Sequence, residues 1–491
     1  MAGSDVTRLL CQLEELRAWV VEDAIEIARQ WEGYVERPEF APSAENFSHY
    51  LALRRRDIRS LQRDLMVHGL SSLGRAEGRV LPTLDALVAV LRALDGKGAP
   101  VFQANTSFFA GEGRLAARTT ELFGPRSPHS PINLLVTAPS EAASDERFML
   151  RLADLGVEAV RINCAHDDPD VWAKMIEHIE GAAAKTGRRM KILMDLAGPK
   201  IRTGEARKVK GLKRVHVDDR LAITLPGRLQ KADENLPAVE CTLGEAVAAA
   251  KKGDRVFIDD GKLEARVVGV EPWGVVVEVH AGPDEDGYKL KAEKGVNFPD
   301  TDFSVPALTQ DDREALAFAA HHADGIEFSF VQGEADVAEL QDALAGERPD
   351  DWRSLGLVLK IETLRAVRNL PSMLVRAAGR QPTAIMIARG DLAVEIGFAR
   401  LAEIQEELLW LGEAAQIPVI WATQVLEGLL RTGIPTRGEM TDAAMAVRAE
   451  CVMLNKGPFL FQTITELDRL WSRMDEHIHK KTPQLRRLTS W

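Results

Sequence analysis

Acidic and basic side chains stand directly behind an apolar run in the segment KILMDLAGPKIRTGE, residues 191–205. The run ends in Asp195, and Lys200 and Arg202 follow around a Gly-Pro turn. Binding sites combine an apolar frame with a few polar groups placed at one spot. A strand that delivers one acid and two bases to its end therefore indicates a ligand site.

The same pattern recurs behind five other apolar runs. The residues concerned are Arg161, Asn163 and His166, then Lys360 and Glu362, Arg389 and Asp391, Thr423 and Gln424, and Asn455 and Lys456. One polar residue at a strand end is typical of a helix cap or an ion pair. Six such ends in one chain indicate a binding site for an anionic ligand instead.

Three of these residues suggest a metal-assisted reaction. Glu362 and Asp391 are hard oxygen ligands of the kind that Mg²⁺ prefers. Lys360 lies two residues before Glu362 and so shares its face of a strand. A lysine there would stabilise negative charge on an enolate or on a transferring phosphoryl group. Gly390 opens a predicted helix, whose free N–H groups suit a substrate carboxylate.

Strands and helices that alternate along the chain must position these side chains. Eight short apolar runs are followed by amphipathic stretches: INLLVT, VEAVRI, KILMD, DGIEFSF, LVLKI, AIMIA, IPVIW and ECVML. Such alternation implies parallel pairing, and eight units close a (β/α)₈ TIM barrel with its site at the carboxyl ends of the strands. We assign residues 130–204 and 301–480 to this α/β barrel.

Two further regions complete the predicted architecture. Residues 205–300 show period-two alternation with glycine turns, which predicts an inserted small antiparallel β domain that acts as a lid. Residues 1–125 predict an N-terminal helical domain with helices over about 7–28, 43–68 and 81–94. The inward face of the first helix is expected to carry Leu9, Leu13, Leu16, Val20 and Ile25.

Composition excludes several classes of partner. The net charge of −12 over 491 residues argues against binding to nucleic acid. The four cysteines lie far apart without zinc spacing, as expected for reduced thiols. The N-terminus lacks the pattern of a secretion signal, and no apolar run approaches the roughly 18 residues of a membrane span. We expect a cytoplasmic protein with no membrane partner.

Taken together, these segments resemble the pyruvate kinase family. VRINCAHDD is similar to that family's RLNFSHG stretch, and MDLAGPKIRTG to its LDxxGPxIRTG. LKIET, IMIARGDLAVEI and PTRGEMTDAAMAV follow in the family's order, and the resemblance covers about residues 132–460. It implies a glycolytic phosphotransferase that makes pyruvate and ATP from phosphoenolpyruvate and ADP with Mg²⁺, or Mn²⁺ in its place.

The resemblance also implies roles for the polar residues. Arg161 and Arg202 would bind the phosphoryl group. Lys360 would stabilise that group in transfer and the enolate that it leaves. Glu362 and Asp391 would hold the divalent metal.

Substrate carboxylate and nucleotide contacts follow from the same resemblance. The backbone at Gly390 and Asp391 would receive the carboxylate beside Thr423, which would position it or protonate the enolate. The residues that match the family's nucleotide contacts are Asn163, His166, Arg202 and Lys294.

One departure from the family concerns its monovalent-cation site. Ala165 and Leu196 stand where the family has hydroxyl residues, while Asn163 and Asp195 are retained. Lys200 takes the position at which potassium-dependent members carry glutamate. A tethered ammonium can replace the ion. We therefore predict that Lys200, with Asp195, substitutes for K⁺ and that the enzyme does not require potassium.

Other departures leave function open. Asn455 and Lys456 replace the family's SGET, which leaves the nucleotide preference undetermined. We expect no counterpart of the family's C-terminal effector domain and therefore no regulation by sugar phosphates through it, and a homo-oligomer of unspecified size stays open. One alternative is a Mg²⁺–enolate enzyme for another enol phosphate or a 2-oxo acid. The other is a non-catalytic homologue whose helical region binds a partner.

Overall fold

The computed structural model describes residues 2–128, 130–209, 214–283, 287–303, 306–475, 477–480 and 482–483. Its helices are α1 Ala2–Arg29, α2 Ala41–Arg54, α3 Arg59–Val67, α4 Val80–Leu94, α5 Asn105–Phe108, α6 Ala110–Phe123, α7 Glu146–Asp154, α8 Pro169–Thr186, α9 Gly244–Ala249, α10 Gln310–His322, α11 Glu334–Glu347, α12 Leu364–Ala378, α13 Arg389–Ile396, α14 Phe398–Ala415, α15 Glu427–Thr432, α16 Arg437–Met445 and α17 Leu460–Met474. Its strands are β1 Asn133–Thr137, β2 Ala159–Asn163, β3 Lys191–Leu196, β4 Thr203–Arg207, β5 Arg220–Thr224, β6 Ala238–Cys241, β7 Arg255–Ile258, β8 Leu263–Glu271, β9 Gly274–Ala281, β10 Val296–Asn297, β11 Gly325–Phe328, β12 Gly356–Ile361, β13 Thr383–Ala388, β14 Val419–Ala422, β15 Cys451–Leu454, β16 Ile478–His479 and β17 Thr482–Pro483.

Eight parallel strands close the predicted barrel, in the order β1-β15-β14-β13-β12-β11-β3-β2. Each of the eight apolar runs supplies one of these strands, which confirms the (β/α)₈ prediction. The strands are buried on both sides, as parallel strands covered by helices are. The register sets Asp195 opposite Asn163 on one neighbouring strand and opposite Glu327 on the other.

Alternate residues of the barrel strands fill its interior in layers. The apolar layers include Leu135, Ala159, Leu193 and Val358, and they share one cluster with Leu122 and Phe123 at the end of α6. The two α6 side chains thus pack into the barrel core. Two residues further along β1, β2, β3 and β12, on the same face, stand Thr137, Arg161, Asp195 and Lys360. Period-two alternation therefore brings the polar residues together above an apolar floor.

A second sheet lies between β3 and β11 in the sequence. It has seven strands in the order β10-β7-β8-β9-β5-β6-β4, with a core of its own rich in valine. The pairing is antiparallel except between β5 and β6, which are parallel. The reason is the connection 225–237, which carries the chain back along the sheet as a parallel crossover requires.

The N-terminal region is helical as predicted, with two corrections. The helix expected over 43–68 is broken into α2 and α3. The Asp57 carboxylate accepts the backbone N–H of Arg59 at 3.1 Å, a local bond that competes with helix continuation. Ile25 is 51% exposed instead of facing the core. Ala24 and Ile27 are buried in its place, because the inward stripe drifts around this long helix.

The helical region is docked on the barrel through α14. Arg118 donates to the Gln416 carbonyl at 2.8 Å, to the Ser43 hydroxyl at 2.9 Å and to the Glu39 carbonyl at 3.0 Å. Burial lowers the pKa of Arg118 to about 10. Phe47 belongs to the same apolar cluster as the barrel helices, so both regions share one core. None of the helices in the described part of the chain combines the length and hydropathy that a membrane crossing requires.

Candidate active site

Three buried charged residues form the centre of the site inside the barrel mouth. Lys360 on β12 donates to Asp195 on β3 at 2.9 Å and to the Ser329 hydroxyl at 2.5 Å. Arg161 on β2 forms an ion pair with the other oxygen of Asp195 and donates to the Thr137 hydroxyl at 3.1 Å. Asp195 thus lies between two cations that the sequence analysis assigned to phosphoryl and enolate chemistry.

The charges of this centre stabilise one another. Burial disfavours the charged form of Lys360, but Asp195 and then Glu362 raise the pKa of its ammonium above its usual range. Burial likewise opposes ionisation of Asp195, yet Arg161 and Lys360 hold the pKa of that carboxyl below its usual value. A lysine that stays charged in a buried site can stabilise a developing anion without reorganisation.

Glu362 and Asp391 are the two candidate metal ligands. The backbone N–H of Phe330 donates to one oxygen of Glu362 at 2.5 Å, and Lys360 lies 3.3 Å from the other. Burial and then Asp391 raise the pKa of Glu362, against the opposing charge of Lys360. Asp391, in the first turn of α13, is close enough to act on it electrostatically.

This donor set fits Mg²⁺. Both side chains offer carboxylate oxygens, which are hard ligands. Within the described ranges, no group of three or more His, Cys, Asp or Glu side chains could hold a metal by itself. A partial protein ligand set suits Mg²⁺, since this ion usually keeps several waters and substrate oxygens.

Lys200 lies against Asp391 and not against Asp195. Its ammonium donates to Asp391 at 3.0 Å and stands 5.9 Å from the centre of the Phe330 ring. The expected pairing with Asp195 is therefore replaced, because Arg161 and Lys360 already neutralise that carboxylate. Lys200 comes from the segment between β3 and β4, where the chain leaves the barrel for the second sheet.

Gly390 and Thr423 meet where α13 begins. The Gly390 N–H donates to the Thr423 hydroxyl at 2.8 Å. Thr423 has a φ of 59°, a left-handed conformation that is costly for a β-branched residue. Arg389 holds this backbone, with bonds to the carbonyls of Ala422 at 3.0 Å and Thr423 at 2.8 Å. The two predicted carboxylate-binding groups are thus adjacent.

A cavity of about 340 Å³ opens beside the central cluster. Its walls include Arg161, Asn163, His166 and Lys456. The Asn163 carboxamide oxygen accepts the N–H of Ala165 at 2.9 Å, which fixes the turn after β2. Asn163 and His166, two of the expected nucleotide contacts, therefore line the same cavity as Arg161, which is expected to bind the phosphoryl group.

Arg202 and Lys294 lie instead at the base of the second sheet. Arg202 donates to the Glu293 carbonyl at 3.3 Å and its backbone N–H to Thr242 at 2.9 Å. The Lys294 ammonium pairs with Asp259 at 3.1 Å. The hydrogen bonds and ion pairs of both side chains are made with residues of the second sheet and its loops.

Glu327 and Ser329 are site residues that the sequence analysis missed. Glu327 lies on β11 with its carboxylate 2.9 Å from Arg161 Nε, and Ser329 accepts from Lys360. A signal was present in DGIEFSF, where an acid interrupts an apolar strand at the alternate position shared by Ser329. Glu327 and Ser329 share one face of the chain by the same period-two alternation as Lys360 and Glu362.

Comparison with known proteins agrees with this geometry. The family model described as pyruvate kinase, barrel domain, matches residues 132–458. Pyruvate kinase of Corynebacterium efficiens is 34% identical over 320 residues, 65% of this chain and 63% of that protein. Pyruvate kinase of Thermotoga maritima is 30% identical over 334 residues, 67% of each chain. That of Thermococcus litoralis is 31% identical over 365 residues, 73% of this chain and 72% of that protein.

The matched segment spans less than two thirds of the Corynebacterium efficiens protein. The limits of the family model coincide with the barrel strands, from just before β1 to just after β15, and include the second sheet. The family model thus covers the central cluster and both candidate metal ligands. This chain belongs to the pyruvate kinase family.

Proposed function

We propose that the protein transfers the phosphoryl group of phosphoenolpyruvate to ADP and releases pyruvate and ATP. The observation that carries this proposal is the buried cluster of Arg161, Asp195 and Lys360 beside the carboxylates of Glu362 and Asp391. It combines two fixed cations for a phosphoryl group with a carboxylate pair for a metal. Phosphoryl transfer needs little more than such positioning and charge stabilisation.

The residues of the chain divide the work as follows. Arg161 binds the phosphoryl oxygens, and Lys360 stabilises charge on the bridging oxygen as the bond to phosphorus breaks and the ADP oxygen forms a new one. When bound by Glu362 and Asp391, Mg²⁺ would neutralise further charge on these oxygens. The enolate then takes a proton at its terminal carbon to give pyruvate. Thr423 positions the carboxylate or delivers that proton.

Potassium independence is part of the proposal. Lys200 provides a tethered ammonium at 3.0 Å from Asp391, inside the site. We propose that this fixed charge performs the electrostatic task of a bound monovalent cation, from the side of Asp391 and not of Asp195.

The second sheet, with residues 205–300, is proposed as a lid on a barrel of residues 130–204 and 301–480, beside a helical domain of residues 1–125. Support comes from Arg202 and Lys294, which lie where the lid joins the barrel. Lid closure on ADP would slow amide hydrogen exchange around Lys294. Unchanged exchange with saturating ADP and Mg²⁺ would contradict the lid assignment.

A coupled assay for pyruvate tests the main proposal. Wild-type protein should form pyruvate from phosphoenolpyruvate with ADP and Mg²⁺, and Lys360→Met should lower kcat by about 10²–10³-fold. Lys191→Met is the control, because Lys191 is a part-buried lysine at the opposite end of the same barrel, paired with Asp324. Turnover that survives Lys360→Met would refute the role of that lysine.

Two other results would point elsewhere. Mg²⁺-dependent proton exchange on pyruvate without turnover of phosphoenolpyruvate would favour an enolate enzyme for another substrate. Loss of both signals would favour a non-catalytic protein whose helical region binds a partner.

A further inference from the structure

Glu327 is a carboxylate in the interior of the barrel to which the proposed reaction gives no task. It lies in the middle of β11 with none of its surface exposed. Its backbone is in register with Asp195 on the adjacent strand. A charged residue at such a position is costly unless a partner compensates it.

That partner is Arg161, whose guanidinium the surrounding residues hold on three sides. Glu327 accepts from Nε at 2.9 Å, the Thr137 hydroxyl accepts from one terminal nitrogen at 3.1 Å, and Asp195 accepts from the other. A guanidinium has five N–H donors in one plane. Two donors, one on each terminal nitrogen, remain after these contacts, and Arg161 lines the 340 Å³ cavity.

The three contacts restrain the Arg161 guanidinium in different ways. Thr137 and Asp195 each bind one of two donors on a terminal nitrogen, whereas Glu327 binds the single donor on Nε. Loss of the Nε contact would allow the guanidinium plane to turn about the side-chain axis. The two free donors would then no longer be fixed as a pair for phosphoryl oxygens.

The electrostatics of Glu327 agree with a role beyond packing. Burial raises the pKa of its carboxyl to about 7, although Arg161 opposes the shift. Its second oxygen, Oε1, is buried and has no hydrogen-bond partner among the described residues. An apolar side chain would avoid this unpaired oxygen but would leave the Nε donor of Arg161 without its acceptor, so the glutamate serves Arg161 and not the packing of the barrel.

We propose that Glu327 is a positioning residue that orients Arg161 for the phosphoryl group of the substrate. This proposal rests on the proposed phosphotransferase function. It predicts that the loss of Glu327 acts on phosphoenolpyruvate and not on ADP, and that it acts only through Arg161.

A double-mutant cycle in the coupled pyruvate assay tests it. Glu327→Leu should lower kcat/KM for phosphoenolpyruvate by about 10–100-fold, the usual weight of a hydrogen bond to a charged group, with KM for ADP unchanged. Glu327→Gln keeps an acceptor of the same reach and should lose only about three- to tenfold. Either change should add little in an Arg161→Lys background, where the Nε contact is already gone.

Glu158→Gln is the matched control. Glu158 is also a buried glutamate whose pKa burial raises to about 7, but it binds the backbone N–H groups of Ser127 at 2.7 Å and Leu134 at 2.8 Å. This control should leave KM for phosphoenolpyruvate unchanged. Thermal unfolding of each variant verifies its folding. If Glu327→Leu does not fold, the double-mutant cycle is measured with Glu327→Gln.

The outcomes separate the two proposals. Wild-type turnover with unchanged kcat/KM in folded Glu327 variants overturns the role of Glu327 alone. Equal losses in the wild-type and Arg161→Lys backgrounds also overturn it, because they show an effect that does not pass through Arg161. Lack of turnover in the wild-type protein overturns the proposed function, and the positioning role with it.

Discussion

Replacement of Lys200 by glutamine should turn a potassium-independent enzyme into one that potassium stimulates. The ammonium of Lys200 lies 3.0 Å from Asp391, and the two side chains are 30% and 22% exposed. Removal of this charge leaves the carboxylates of Asp391 and Glu362 to repel an anionic substrate. A monovalent cation from solution would then restore part of the lost charge.

The size of the effect follows from the exposure of the pair. Exposed ion pairs contribute about 0–1 kcal/mol, and breaking a buried pair costs about 3–5 kcal/mol. A partly screened pair between these limits should contribute about 1–2 kcal/mol, or about five- to thirtyfold in kcat/KM. We expect that loss in tetramethylammonium buffer and its partial recovery in potassium buffer.

The assay compares pyruvate formation in sodium, potassium and tetramethylammonium salts at one ionic strength. Lys191→Gln is the control, because Lys191 and Asp324 lie 3.2 Å apart with 25% and 12% exposure, at the far end of the barrel. The control should show the same rate in all three salts. A strong potassium requirement in the wild-type protein, or a Lys200→Gln variant that no salt affects, would refute the reasoning.

Three further predictions concern metal binding, pH and domain docking. Asp391→Asn should weaken Mn²⁺ binding at least tenfold in calorimetry, since it removes one of two anionic ligands; unchanged affinity would contradict the metal assignment. Burial raises the pKa of Glu158 to about 7, so this residue should favour the folded state below about pH 4.5 and lose that contribution as the pH rises to about 7. Urea unfolding should show a smaller decline in Glu158→Gln than in the wild-type protein, because Glu327, whose pKa burial also raises to about 7, still contributes to it; an equal decline in both would contradict this assignment. Arg118→Ala should lower the free energy of unfolding by about 2–4 kcal/mol, measured in urea. It removes three hydrogen bonds, two of them buried, which join the N-terminal helices to one another and to the end of α14. A change below about 0.5 kcal/mol would contradict this view of the junction.

Residues whose place depends on strand periodicity could be found from the sequence. Lys360 lies on β12 and Glu362 directly after it, two residues apart, and the structure brings both side chains together at the barrel mouth. Asp195 and Arg161 follow the same rule on neighbouring strands, and their contact required only the parallel register. Alternation along each strand and parallel pairing of neighbouring strands were sufficient to predict these contacts.

Contacts that depend on long side chains or on loops could not be found in this way. Lys200 follows Gly198, whose φ is 68°, so no strand or helix period predicts where its side chain points. Asp195 is near Lys200 in sequence, but its carboxylate is already paired with Arg161 and Lys360, so Lys200 pairs with another residue. The break after α2 also depends on a single local contact. The Asp57 carboxylate accepts the backbone N–H of Arg59, and this bond outweighs an otherwise helical pattern.

The ion pairs of the site leave it with a small net charge. These ion pairs join the cations Arg161, Lys200 and Lys360 to the anions Asp195, Glu327, Glu362 and Asp391. When all seven are ionised, the anions exceed the cations by one, so a divalent cation would make this set of residues net positive, as an anionic substrate requires. Glu327 contacts Arg161 and Lys200 contacts Asp391, so the losses of activity from Glu327→Gln and Lys200→Gln should multiply when both residues are exchanged.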